Sequence, residues 1–101
     1  MHVMHILTTV ASEFEWDPKK AATNRRKHRV SFEGAQTTFY DLRGALIRDE
    51  AHSTDEEERF VFMGRSDRGR VLVTVFTERG DRRRLISSRR ANGREVEDYE
   101  A

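Results

Sequence analysis

Apolar residues fall along this chain in two successive rhythms. Phe14-Glu15-Trp16 alternates and predicts a short strand. Asp17-Pro18 then reads as a helix start, because Asp17 can cap free N–H groups and Pro18 suits the first helical position. The helix should run over Pro18–His28. Its Ala, Lys and Arg residues favour helix but give it only a weak apolar face, so it is expected on the surface. Ser31 is the next cap, with Glu33 in the first turn to suit the helix dipole. Phe32, Ala35 and Phe39 then line one face of a second helix, which should stop near Gly44.

After Gly44 the rhythm shortens to that of strands. Ala45–Arg48, Arg59–Arg65, 71–77 and 83–88 predict four strands, and the run VLVTVFT at 71–77 is apolar enough to be central. Turns at Asp67-Arg68-Gly69 and Arg79-Gly80-Asp81 make consecutive hairpins, hence an antiparallel meander. Asn92, followed three residues later by Glu95, resembles a capping box and starts a last helix through Tyr99. The expected order is β-α-α-β-β-β-β-α. This is an α+β fold: an antiparallel sheet with the two N-terminal helices on one face. The other face should be open and polar, lined by the arginines after residue 59.

Composition narrows the picture. The 101 residues suffice for one small domain, and 36% hydrophobic against 37% charged residues means a thin core under an ionic surface. Residues 14–101 are expected as a single domain and 1–13 as an N-terminal extension. With no cysteine, disulfide scaffolds, thiol catalysis and cysteine–zinc sites are excluded. The apolar positions near the start (Ile6, Leu7, Val10) are too few and too interrupted for a membrane span, so a cytoplasmic protein is expected.

The net charge of +1 conceals a segregation. Residues 19–29 carry Lys19, Lys20, Arg25, Arg26, Lys27 and Arg29 and no acid, whereas 49–58 carry acids and no Lys or Arg. Residues 59–94 hold eleven arginines against three acids. Basic blocks in a near-neutral chain point to a local polyanion surface, and guanidinium forks match phosphate oxygens well. Solvated faces with mixed ion pairs are the alternative reading.

At this point the chain resembles the BrnT family of toxins. The resemblance runs through Phe14-Glu15-Trp16-Asp17-Pro18, Lys20, Asn24 and Lys27-His28-Arg29-Val30-Ser31-Phe32-Glu33. It resumes at Glu58-Arg59-Phe60, Gly64-Arg65-Ser66 and Gly69-Arg70. It closes with Arg84-Leu85-Ile86-Ser87-Ser88-Arg89-Arg90-Ala91, Glu95 and Tyr99. Two positions depart from the family pattern: Arg29 stands where Gly is usual, and Asp41-Leu42 where Asp-Pro is usual. Residues 1–13 have no family counterpart. The resemblance implies a RelE-like fold and a metal-independent endoribonuclease that needs no cofactor. It also implies an RNA substrate, a block of translation, and neutralisation by a BrnA-like antitoxin with a ribbon-helix-helix DNA-binding domain in a hetero-oligomer.

Cutting RNA without a metal uses the ribose 2′-OH as nucleophile. A base must take its proton, an acid must protonate the leaving 5′-oxygen, and cations must stabilise charge on phosphorus. Arg65 and Arg89 are the candidates for the last role. Simple strand alternation puts Arg89 on one face with Arg83 and Ser87, and Arg84 and Arg90 on the other. Lys27 and His28 form the next constellation, His28 being able to exchange a proton near neutral pH. Glu58 is a further candidate proton acceptor, or a partner for an arginine. Arg70, Arg84 and Arg90 are candidate RNA contacts. Trp16 would stack on a base or pack the first helix; Tyr99 would serve as an acid or pack. The acidic stretch 55–58 with His52 lacks the periodic pattern of a calcium loop, so no metal site is expected. A non-catalytic RNA- or protein-binding module is the competing function. A DNA-binding repressor is disfavoured, since no helix-turn-helix or basic-zipper pattern is present.

Overall fold

The structure is a computed structural model that describes residues 13–101; the expected extension therefore lies almost wholly outside the described residues. The elements are β1 (Phe14–Glu15), α1 (Pro18–His28), α2 (Phe32–Thr37) with a 3-10 turn (Thr38–Tyr40), β2 (Ala45–Arg48), a 3-10 turn (Glu50–His52), β3 (Arg59–Arg65), β4 (Val71–Arg79), β5 (Arg82–Arg90) and α3 (Gly93–Glu100). The anticipated caps form. Asp17 accepts from the Lys19 N–H, Ser31 accepts from the Gly34 N–H, and Asn92 and Glu95 close a capping box.

The sheet order is β1-β5-β4-β3-β2, with β4 at its centre. Strands β2 to β5 form the antiparallel meander. One strand departs from the expected antiparallel sheet: β1 pairs in parallel with β5, Phe14 opposite Arg83 and Glu15 opposite Arg84. Helices α1 and α2 cover one face. Val30, Phe32, Ala35 and Phe39 meet Phe62, Leu72, Phe76 and Leu85 there as one buried cluster. Phe39 is its hub, stacked on Phe62 at 4.6 Å between centroids and edge-on to Phe76 at 5.4 Å. Gly64 lets the 3-10 turn approach β3, since a Cβ there would lie 2.9 Å from the Thr38 carbonyl oxygen.

A β-bulge corrects the alternation expected for β5. Val75 faces Ser87, but Phe76 faces Leu85, so Ile86 is an extra residue and the side-chain phase shifts across it. Arg83 accordingly does not share a face with Arg89. It is buried among the helix-side aromatics, its guanidinium 4.5 Å from the Phe76 centroid and 5.4 Å from that of Phe39. Arg84, Ser87 and Arg89 take the open face, and Arg90 takes the helix side, opposite the buried Leu72. The open face is less polar than expected. A shallow hollow there is lined by Ala45, Ile47, Val61, Met63 and Val73, with Glu95 at its rim.

Beyond Leu85 the outer edge of β5 is closed by a side chain. The buried Asn24 on α1 donates to the Ser88 carbonyl (2.8 Å) and accepts from the Ser88 N–H (3.0 Å). It also donates to the Val30 carbonyl at 2.9 Å. One amide thus satisfies a sheet edge and ties down the α1–α2 connection.

Candidate nucleic-acid interface and active site

Arg65 ends β3 and Arg89 lies near the end of β5, both on the open face. Helix α3 joins them. Glu95 grips Arg89 with both oxygens, at 2.8 and 2.9 Å, the forked geometry a phosphate would use. One turn on, Glu100 meets Arg65 at 3.3 Å and the Tyr99 ring centroid lies 5.4 Å from the Arg65 guanidinium. Arg65 also donates to the Gly69 carbonyl at 2.7 Å, bracing the turn between β3 and β4. The Arg89 guanidinium beside Glu95, helped by the Asn92 N–H, holds the Glu95 carboxyl down at about 2. The same pair raises Arg89.

Asp41, at the end of the 3-10 turn, completes the cluster. It accepts from the Tyr99 hydroxyl, from the Arg65 N–H (2.7 Å) and from the Arg43 N–H (3.0 Å). Burial pushes the Asp41 carboxyl up, but these hydrogen bonds outweigh it and hold it below the usual carboxylate range. Burial and the Asp41 carboxylate together raise Tyr99, so its phenol stays protonated at neutral pH. Sequence reasoning passed over Asp41 as a site residue; its one signal was that it keeps the Asp of the family's Asp-Pro.

The other expected site residues are placed as follows. Lys27 and His28 line a groove of about 340 Å³ between α1 and β5, with Lys19, Lys20, Thr23, Asn24, Ile86 and Ser87. Arg70 lies across the β3–β4 turn from Arg65, on a second cavity. Arg90 is exposed. Three residues are elsewhere. Trp16 is half-buried, edge-on to Phe32 at 5.8 Å, so it packs rather than presenting its face to a base. Arg84 pairs with Glu15 at 2.9 Å, opposite Thr77 at the other end of the sheet. Glu58 pairs with Arg48 at 2.9 Å just before β3. Six strand residues lie between it and Arg65, a span of seven steps or about 23 Å at ~3.3 Å per residue. Glu58 therefore cannot take a proton at a phosphate held by Arg65. Among the described residues, no group of three or more His, Asp or Glu side chains is placed to share a metal ion. No helix among them is long and apolar enough to cross a membrane.

Comparisons with known proteins agree with this architecture. The family model described as the ribonuclease toxin BrnT of type II toxin–antitoxin systems matches residues 16–95. The fold is similar to the crystal structure of the Brucella abortus ribonuclease toxin BrnT, with a TM-score of 0.62 at 22% identity over 79% of this chain and 96% of that one. No curated protein sequence matches the chain. The class so defined is that of the ribonuclease toxins of type II toxin–antitoxin systems, whose members work against an antitoxin partner. Within it, this chain belongs to the BrnT family.

Proposed function

We propose that this chain cleaves RNA by attack of a ribose 2′-OH on the adjacent phosphate, without a metal, using Arg65 and Arg89 to neutralise the charge that develops on phosphorus. The observation that carries this reading is their shared engagement by α3: two guanidinium groups on one face, each already holding a carboxylate. A phosphodiester entering the site takes the place of the Glu95 and Glu100 carboxylates, whose side chains swing aside while Tyr99 stays on Asp41. As the O2′–P bond forms, the 2′-OH proton passes to a water molecule; as the P–O5′ bond breaks, O5′ takes up a proton, and the products are a 2′,3′-cyclic phosphate and a 5′-hydroxyl. Tyr99 is the proton donor for the leaving oxygen, since its phenol is held protonated beside Arg65. Asp41 positions it. Ser87 shares the face of Arg89 and also lines the Lys27–His28 groove, so the RNA strand crosses the β5 edge there and meets both side chains.

The wider consequences rest on the family. Cutting RNA would block translation in the cytoplasm, and the partner would be a BrnA-like antitoxin with a ribbon-helix-helix domain. Purified protein incubated with RNA in excess chelator tests the chemistry. Arg65→Ala and Arg89→Ala should each slow cleavage by about 100-fold or more while the fold remains. Intact RNA beside a clear binding shift would instead support a module that binds without cutting. Cleavage that requires magnesium would end the metal-independent reading.

A further inference from the structure

The arginines of this chain divide into two groups. Arg48, Arg59, Arg65, Arg79, Arg82, Arg83, Arg84 and Arg89 each face a carboxylate. The other eight face none among the described residues; Arg26, Arg43, Arg90 and Arg94 lie outside the cavity of about 440 Å³ that Arg25, Arg29, Arg68 and Arg70 all line. They come from three places: the last turn of α1, the connection after it, and the β3–β4 turn. Glu33 and Asp67 also line the cavity, so four guanidinium groups stand against two carboxylates.

Unpaired like charges brought together repel, and a fold driven only by stability would spread or pair them. Two of the four carry a further structural feature. The Arg70 Nε is sealed from solvent yet has no hydrogen-bond partner inside the molecule. Arg29 is the one non-glycine residue at positive φ (58°) among the described residues, a left-handed conformation unfavourable for a side-chain-bearing residue.

We propose that this cavity binds a phosphate group of the RNA strand, outside the bond that is cut. The inference rests on the nuclease reading for its ligand, an RNA, but uses none of that reading's residues. The geometry links the two sites. Arg65 braces the Gly69 carbonyl in the same turn that carries Arg68 and Arg70. A strand passing over that turn leaves the open face at Arg65 and reaches the cavity on the helix side. The bound phosphate is either an internal phosphodiester or the 5′-terminal phosphate, and both present the same oxygens to the guanidinium forks.

The test is binding of a 2′-O-methyl RNA, which cannot be cut, to the full chain. Arg25→Gln and Arg68→Gln alter exposed side chains, and thermal melts confirm that each variant folds. Each should weaken binding about tenfold and lower the salt slope by about one. Arg26→Gln, one residue from Arg25 on the same helix but outside the cavity, should bind as the unaltered chain does. A loss confined to 5′-phosphorylated RNA identifies the terminal phosphate; an equal loss with a 5′-hydroxyl RNA identifies an internal one. If Arg25→Gln and Arg68→Gln bind normally, or Arg26→Gln weakens binding equally, the cavity is not a phosphate site. Normal cleavage with normal variant binding sinks this inference alone. Weakened variant binding to a protein that never cuts RNA sinks the nuclease reading alone.

Discussion

Asn24 does the work of a missing strand. Its amide satisfies both backbone groups of Ser88 and the carbonyl of Val30, all inside the protein. Asn24→Ala leaves those three groups without partners, which should cost roughly 3 kcal/mol in urea unfolding. Arg29 works in the opposite sense. An L residue in the left-handed region costs about 1–2 kcal/mol, and glycine's greater loss of chain entropy returns about 0.5–1 kcal/mol of any gain. Arg29→Gly should therefore raise stability by up to about 1 kcal/mol in the same measurement, and weaken RNA binding if the cavity holds a phosphate. Arg83 is only 4% exposed, and burial lowers it to about 10, so it remains charged at neutral pH. Its charge is poorly matched, with Glu78 at 3.6 Å and Nε unpartnered. Arg83→Met should keep the packing on Phe39 and Phe76 and be near neutral in stability, whereas Arg83→Ala opens a cavity and should cost about 2–4 kcal/mol. Equal losses in the two variants would show that charge, not packing, is what Arg83 supplies.

Helix α3 is the element whose behaviour the chemistry depends on. Its capping box and its grip on Arg89 share one carboxylate, Glu95. Glu95 is held at about 2 in the folded chain, below its ordinary 4.5. A depressed carboxyl stabilises above its unfolded value and loses that contribution as pH falls toward the folded one. Attachment of α3 should thus be complete above about pH 4.5 and weaken toward pH 2. Asp41, shifted in the same direction, adds to the loss. The Val96 and Tyr99 amide resonances should move over that window, and Glu95→Gln should remove the Glu95 contribution. Glu100 is the looser contact, its side chain 59% exposed. Glu100→Gln should change stability by less than about 1 kcal/mol, yet tighten RNA binding by freeing Arg65. Unchanged binding would mean that α3 does not compete for the site.

At the scale of the molecule, what was legible in the sequence was whatever short-range chemistry decides. Asp17-Pro18, Ser31 and Asn92 with Glu95 announce their helices because a cap needs only neighbours within one turn. Turn residues around Gly69 and Gly80 announced the hairpins, since both adopt positive φ. The parallel pairing of β1 with β5 was hidden, because Phe14 and Arg83 meet only through the tertiary fold. So was the bulge at Ile86, which no local signal marks and which reversed the expected placement of Arg83 and Arg84 relative to Arg89. Arg65, Arg89 and Tyr99 were readable as candidates, but the helix that joins them to Asp41 was not. Glu58 was misplaced because spacing along the chain does not reveal which end of a strand faces which chemistry.

The central claim is that paired arginines on the open face neutralise a phosphodiester broken by its own ribose hydroxyl. Identifying the RNA ends produced in excess chelator tests it most directly. The account predicts 2′,3′-cyclic phosphates and 5′-hydroxyls from the unaltered chain, and almost none from Arg65→Ala or Arg89→Ala. Products ending in 3′-hydroxyls and 5′-phosphates, formed only when magnesium is restored, would contradict it.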